Sequence, residues 1–94
     1  MAGKIQKLSI AKPIKMVHGS GGMVLASETV EIPMGYVGVL SVRRSYGNNK
    51  LFITSQFLDE GFNGQPELHL LNQGNDLELP AGKQLVNLVI LKAL

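Results

Sequence analysis

The chain has no cysteine and no tryptophan, and its aromatics are two Tyr and three Phe. Without cysteine there is no disulfide, no thiol nucleophile and no thiolate metal site. That absence fits a reducing compartment. Charge is also sparse: 17% of residues are charged and the net charge is +2. The lysines are scattered, and the only adjacent cations are Arg43 and Arg44. Few aromatics and no basic block argue against a nucleic-acid surface. No apolar run approaches the roughly 20 residues of a membrane-spanning helix. The first ten residues are interrupted by Lys4, Gln6 and Lys7, so they do not read as a signal peptide. No amphipathic helical period, repeat or linker is visible.

What is present is apolar surface in excess. The chain has 94 residues, 45% of them hydrophobic. Residues 1–94 read as one domain, and a domain this short hides only about 60–65% of its unfolded surface. Such a composition predicts an obligate oligomer, because a lone copy would expose too much.

Short apolar segments with turns every eight to twelve residues predict an all-β sandwich or barrel. Residues 1–22 read as an N-terminal arm or edge strand, interrupted by Pro13, that could cross to a neighbouring subunit. His18-Gly19-Ser20-Gly21-Gly22 reads as a flexible turn. A phosphate-cradling loop would need a helix after it, and a strand, residues 23–27, follows. His18 is therefore expected to be solvated. Residues 28–32 alternate, with Val30 and Ile32 on one face. Residues 36–42 and 84–91 are apolar on both faces, apart from Gly38, Ser41 and Asn87, and are the best candidates for a subunit interface. Arg43 and Arg44, read as extended, point to opposite sides. Gly47-Asn48-Asn49 is a turn. Leu68 and Leu70 share one face of the strand over 66–71, and Glu67, His69 and Leu71 share the other. Asn72-Gln73-Gly74-Asn75 reads as a hairpin turn, leading to a surface strand over 76–79.

The stretch Phe57-Leu58-Asp59-Glu60-Gly61-Phe62-Asn63-Gly64 is a glycine-bent corner carrying two aromatics. Gly and Asn tolerate the backbone angles of tight turns. Asp59 is expected to be partly shielded there. It reads either as a cap accepting backbone N–H bonds or as a catalytic acid.

The order of these features resembles the trimeric dUTPase / dCTP deaminase superfamily. Residues 23–33 resemble the strand pair of the deaminase branch that ends in a proline. Arg44-Ser45 resembles the Arg-Ser of the second family motif. Residues 57–64 are similar to the third motif, hydrophobic-Asp-x-x-aromatic-x-Gly, which is the specific one. Residues 82–88 look like the fourth, with Asn87 in place of Gln. The match runs over residues 23–91. It implies a distorted jelly roll or β-barrel of the dUTPase-like type, three subunits around a threefold axis, and sites formed between subunits. It also implies that Arg44, Ser45 and Asn87 lie at nucleotide phosphates. Asp59 would position the sugar and the attacking water.

The departures from that pattern bear on activity. His69 stands about where the deaminase branch has its proton-shuttling glutamate. Histidine can shuttle protons, but it is also commonly a packed residue satisfied by hydrogen bonds. Glu67 is on the same face, one strand step away, roughly 6–7 Å, too far for a simple substitution. The segment between Arg44 and Asp59 is short, Asn87 is one methylene shorter than Gln, and the glycine-rich arm that closes active dUTPases is not expected here. Positioning dominates phosphoryl chemistry, so these features favour a non-catalytic homotrimer reused as a structural or interaction module. A viral capsid decoration (cement) protein on a threefold axis is one concrete form. The alternative is a minimal nucleotide-binding protein, or a nucleotide hydrolase of the dUTP or dCTP type, with Asp59 catalytic, Arg44, Ser45 and Asn87 on the phosphates, and Mg2+ bridging them. No metal or other cofactor is expected otherwise. The partner is a further copy of the chain, with a capsid as the larger assembly. The location is cytoplasmic or in a virion.

Overall fold

The computed structural model describes residues 5–93. Nearly all regular structure is β, in short strands built where apolar side chains alternate or run continuously. The order is β1 (Ile5–Ser9), β2 (Ile14–Met16), β3 (Gly21–Leu25), β4 (Val30–Glu31), β5 (Tyr36–Val42), α1 (Arg44–Gly47), β6 (Leu51–Ile53), β7 (Phe57–Leu58), β8 (Asn63–Gly64), β9 (Glu67–Asn72), β10 (Leu77–Leu79) and β11 (Gln84–Lys92).

Every ladder is antiparallel. One sheet runs β1-β11-β5-β7 and another β3-β9-β6, while β10-β2 and β4-β8 form two-stranded pairs. The inner faces share one core. Leu8, Leu40, Leu58, Val86 and Leu88 come from the four-stranded sheet, and Val24, Leu51, Ile53, Leu68 and Leu70 from the three-stranded one. Gly38 is buried where that core is tightest. A Cβ there would lie 3.0 Å from Ile32 Cδ1 and 3.0 Å from Leu88 Cδ1.

A β-bulge sets the phase of β11. Leu8 pairs with Val86 but Ser9 pairs with Gln84, so Leu85 is the extra residue. Leu85 and Val86 are both fully buried. From there Leu88 points inward, and Asn87 joins the outer face. Part of the doubly apolar reading of residues 84–91 is thus the bulge. The rest is the outer face itself, where Ile5, Val89, Val39 and Phe57 pair in a row across all four strands.

Of the two N-terminal readings, arm or edge strand, Ile5–Ser9 form the edge strand β1, paired with β11 of its own chain; the first four residues lie outside the described residues. Other expectations are corrected. In the glycine run only His18 to Ser20 turns, with Gly19 at φ 81°. Gly21 and Gly22 belong to β3 and pair with Leu71 and Leu70. Over residues 28–32 only Val30 and Glu31 form a ladder, opposite Gly64 and Asn63.

The Arg43–Tyr46 stretch does not continue as a strand. The carbonyl of Arg43 accepts from the N–H groups of Tyr46 and Gly47, each at 2.9 Å, and closes the helical turn α1. Its exit at Lys50 is left-handed, φ 64°. The chain must leave one sheet and enter the other here, and a single helical turn makes that reversal.

Residues 72–75 are not a hairpin either: they carry the chain from β9, in the three-stranded sheet, to β10, which pairs with β2. The cause is the side chain of Asn72, which is fully buried. Its Nδ2 donates to Met16 O at 3.0 Å and to Asn75 O at 2.9 Å, and its Oδ1 accepts from Gly74 N–H at 3.0 Å. Those bonds shape the loop and replace the ladder a hairpin would have.

Candidate functional site

The corner after β7 is built on a short turn. Phe62 N–H donates to Asp59 O at 3.1 Å, and Gly61, at φ 82°, takes the left-handed position. Phe62 turns inward against the core, while Phe57 is 66% exposed. Asp59 is exposed, not shielded. Its backbone carbonyl serves the turn, and among the described residues its carboxylate has no hydrogen-bond partner. The neighbouring Glu60 does the capping instead, accepting Gly35 N–H at 2.7 Å.

Asp59 lies on the rim of an open pocket of about 490 Å³ that also takes Phe57, Phe62, Gln65, Glu67 and His69. The strand β9 presents the last two on its outer face, as its alternation requires. His69 is half-exposed, and its Nε2 lies 3.1 Å from Glu67 Oε1. Its partner is therefore a carboxylate and not a backbone group. The strand step that separates the two in sequence is bridged by the length of the side chains. Gln65 Nε2 donates to Ala26 O at 3.0 Å, which ties the floor of the pocket to the end of β3.

The other three expected residues lie at the opposite end of the four-stranded sheet. Asn87 pairs with Ser41, and Gly38 pairs with Leu58. Asp59, the next residue, falls level with Val37, about 13 Å along the strands from Ser41 at the usual rise per residue. Arg44 and Ser45 sit in α1, beyond Val42, and both are exposed. A single copy therefore does not bring Asp59 together with Arg44, Ser45 and Asn87. Asn87 Oδ1 is buried and has no hydrogen-bond partner. Such an oxygen is costly to leave unpaired.

Gln65 and the hydrogen-bonded His69–Glu67 pair at this pocket are not foreseen from sequence. His69 and Glu67 carried a signal, since alternation puts them on one face of β9. Gln65 carried none. Among the described residues no group of three or more His, Asp or Glu could hold a metal ion. A Mg2+ ion here would depend on phosphate oxygens for most of its ligands.

A family model described as dCTP deaminase-like matches residues 4–93. No curated protein sequence matches. Solved structures do, at low identity. The dUTPase of EIAV superposes with a TM-score of 0.84 at 18% identity, covering 99% of this chain and 86% of that one. The dUTPase of phage phi11 of S. aureus gives 0.87 at 18% identity, covering 96% and 77%. The dUTPase of Staphylococcus bacteriophage 80alpha, solved with dUpNHpp, gives 0.85 at 17% identity, covering 94% and 69%. The all-β, jelly-roll-type architecture expected from the sequence is thus the fold of these enzymes.

Proposed function

Because the chain belongs to the dCTP deaminase-like family, we propose that its working form is a homotrimer acting as a structural or interaction module, without catalysis. The observation that carries this reading is the outer row of the four-stranded sheet. Ile5 and Phe57, at its two ends, are 65% and 66% exposed, and the half-buried Val89 and Val39 join them. Leu91, 41% exposed, pairs with Val37 in the next outer row. A further copy laid on this face removes apolar surface from water, the main driving force of association. The threefold count comes from the superfamily resemblance. The non-catalytic half of the proposal is supported by looseness. Asp59, Arg44 and Ser45 are exposed, and among the described residues no side-chain hydrogen bond or ion pair holds any of them. Catalytic groups are normally locked by packing and supporting hydrogen bonds. A decoration protein seated on a threefold axis of a viral capsid is a concrete form of such a module.

One observation favours a second reading, nucleotide binding with Mg2+. The Asp59 carboxylate is uncommitted at the edge of a pocket that has aromatic walls. The neighbouring copy would supply the Arg44, Ser45 and Asn87 end.

Light scattering and calorimetry with dUpNHpp and Mg2+ separate these readings. The proposal expects three times the 10.1 kDa chain mass and no heat of binding. A stable monomer would sink the trimer. Micromolar binding abolished by Asp59→Ala would replace the structural reading with the second.

A further inference from the structure

A second cavity lies away from the Asp59 pocket, between the exit of α1 and the loop from β9 to β10. Its volume is about 640 Å³, within the range of small-ligand sites. It takes Tyr46 from α1 but neither Arg44 nor Ser45. Its wall is rich in carboxamides: Asn48, Asn49, Gln73 and Asn75 all line it. One cation, Lys50, and one anion, Asp76, offset each other, and His18 completes the polar set.

The wall is held in place by bonds the ligand does not have to make. Asn72, buried beneath, fixes Gly74 N–H and Asn75 O. Gln73 N–H donates to Lys50 O at 2.9 Å and ties the two loops together. His18 N–H donates to Asp76 Oδ1 at 2.9 Å. His18 Nδ1 lies 2.8 Å from Gly74 O. A carbonyl oxygen can only accept, so Nδ1 carries the proton. In the neutral ring, Nε2 is then left as an acceptor.

The chemistry of this set excludes most ligand classes. A phosphate is anionic and would meet the Asp76 carboxylate with a single lysine to offset it. A metal ion lacks ligands, since no group of three or more His, Asp or Glu is present among the described residues. An apolar ligand would leave the carboxamides unpaired, which is unfavourable. A hydroxyl, by contrast, both donates and accepts, as a carboxamide does. Two adjacent hydroxyls match an Asn or Asp side chain two bonds at a time, and the C–H face of a sugar ring packs on an aromatic ring such as that of Tyr46.

We propose that this cavity binds a neutral carbohydrate through a pair of adjacent hydroxyls. The site goes beyond the assembly role argued above and is independent of it. The test is amide NMR of the full chain, titrated with the methyl glycosides of glucose, mannose, galactose and N-acetylglucosamine. Uridine and inorganic phosphate serve as comparators. At least one glycoside is expected to shift amides confined to residues 18, 46–50 and 73–77, with millimolar affinity. Asn48→Ala and Asp76→Asn are expected to weaken that binding at least about tenfold, roughly one lost hydrogen bond. Asp76→Asn keeps an oxygen for His18 N–H, so the loop stays formed. The proposal is overturned if no glycoside moves these amides. It is equally overturned if only uridine or phosphate moves them, or if both variants bind as the parent does.

Discussion

Phe57 and Ile5 stand at opposite edges of one sheet, in register across two intervening strands, and are almost equally exposed, at 66% and 65%. Between them lie only Val89 and Val39. The row is therefore a continuous apolar line along the full width of the sheet, and it gives the association proposal its most direct test. Phe57→Ser removes an aromatic that contributes nothing to the monomer core. Each buried copy of such a side chain stabilises by about 1.5–3 kcal/mol. The variant is expected to dissociate at concentrations at least tenfold higher than the parent, read by light scattering on dilution. Its unfolding at high dilution should match that of the parent chain.

Gly38 is where the core has no room. Its absent Cβ leaves space for Ile32, Leu88 and Leu58, the last at 3.2 Å. Two of the three contacts are flexible methyl ends, but all three residues are themselves buried. Overpacking of this kind destabilises by about 1–3 kcal/mol. Gly38→Ala should lower the urea midpoint accordingly.

Asn72 should be the most sensitive polar position. Its carboxamide makes three hydrogen bonds in a fully buried setting. Asn72→Ala strands the carbonyl of Met16 and frees the loop at Gly74. The loss is about 1.5–4.5 kcal/mol, at 0.5–1.5 kcal/mol for each bond. For a domain of this size each kcal/mol lowers the melting temperature by about 4–8 °C. Thermal unfolding followed by circular dichroism checks this.

Asp59→Asn is expected to leave stability unchanged within about 0.5 kcal/mol, as for an exposed residue outside any network. Glu60→Gln keeps an oxygen for Gly35 N–H and should also be mild, whereas Glu60→Ala should loosen the corner. Chemical denaturation of the three variants orders them. A large loss in Asp59→Asn would mean that its carboxylate is held after all.

Much of this architecture was readable in the residues because alternation reports burial directly. Leu68 and Leu70 against Glu67 and His69, or Val30 and Ile32 around Glu31, leave little choice of face. The glycine-turn reading of residues 57–64 placed the corner, where Gly61 takes the left-handed position. Three features were not readable, each for a physical reason. A helical turn of four residues, such as α1, is too short to show a period. The role of Asn72 depends on Met16, far away in sequence, so its local turn signal misled. The bulge at Leu85 looks like any other pair of apolar neighbours, and it decides where Asn87 points. The candidate site was legible as a set of residues but not as a place. Antiparallel register puts Asp59 and Asn87 at opposite ends of the sheet, and no spacing within one strand reveals that.

The bulge has a further consequence. With two adjacent residues directed inward, every later side chain in β11 is offset by one step. Deleting Leu85 would leave Gln84 opposite Ser9 and Val86 opposite Leu8 in an unbroken ladder, so each later side chain would keep its face. What would vanish is one fully enclosed leucine and the extra bend it gives the strand. The inserted residue thus adds grease to the middle of the protein without altering what other molecules meet.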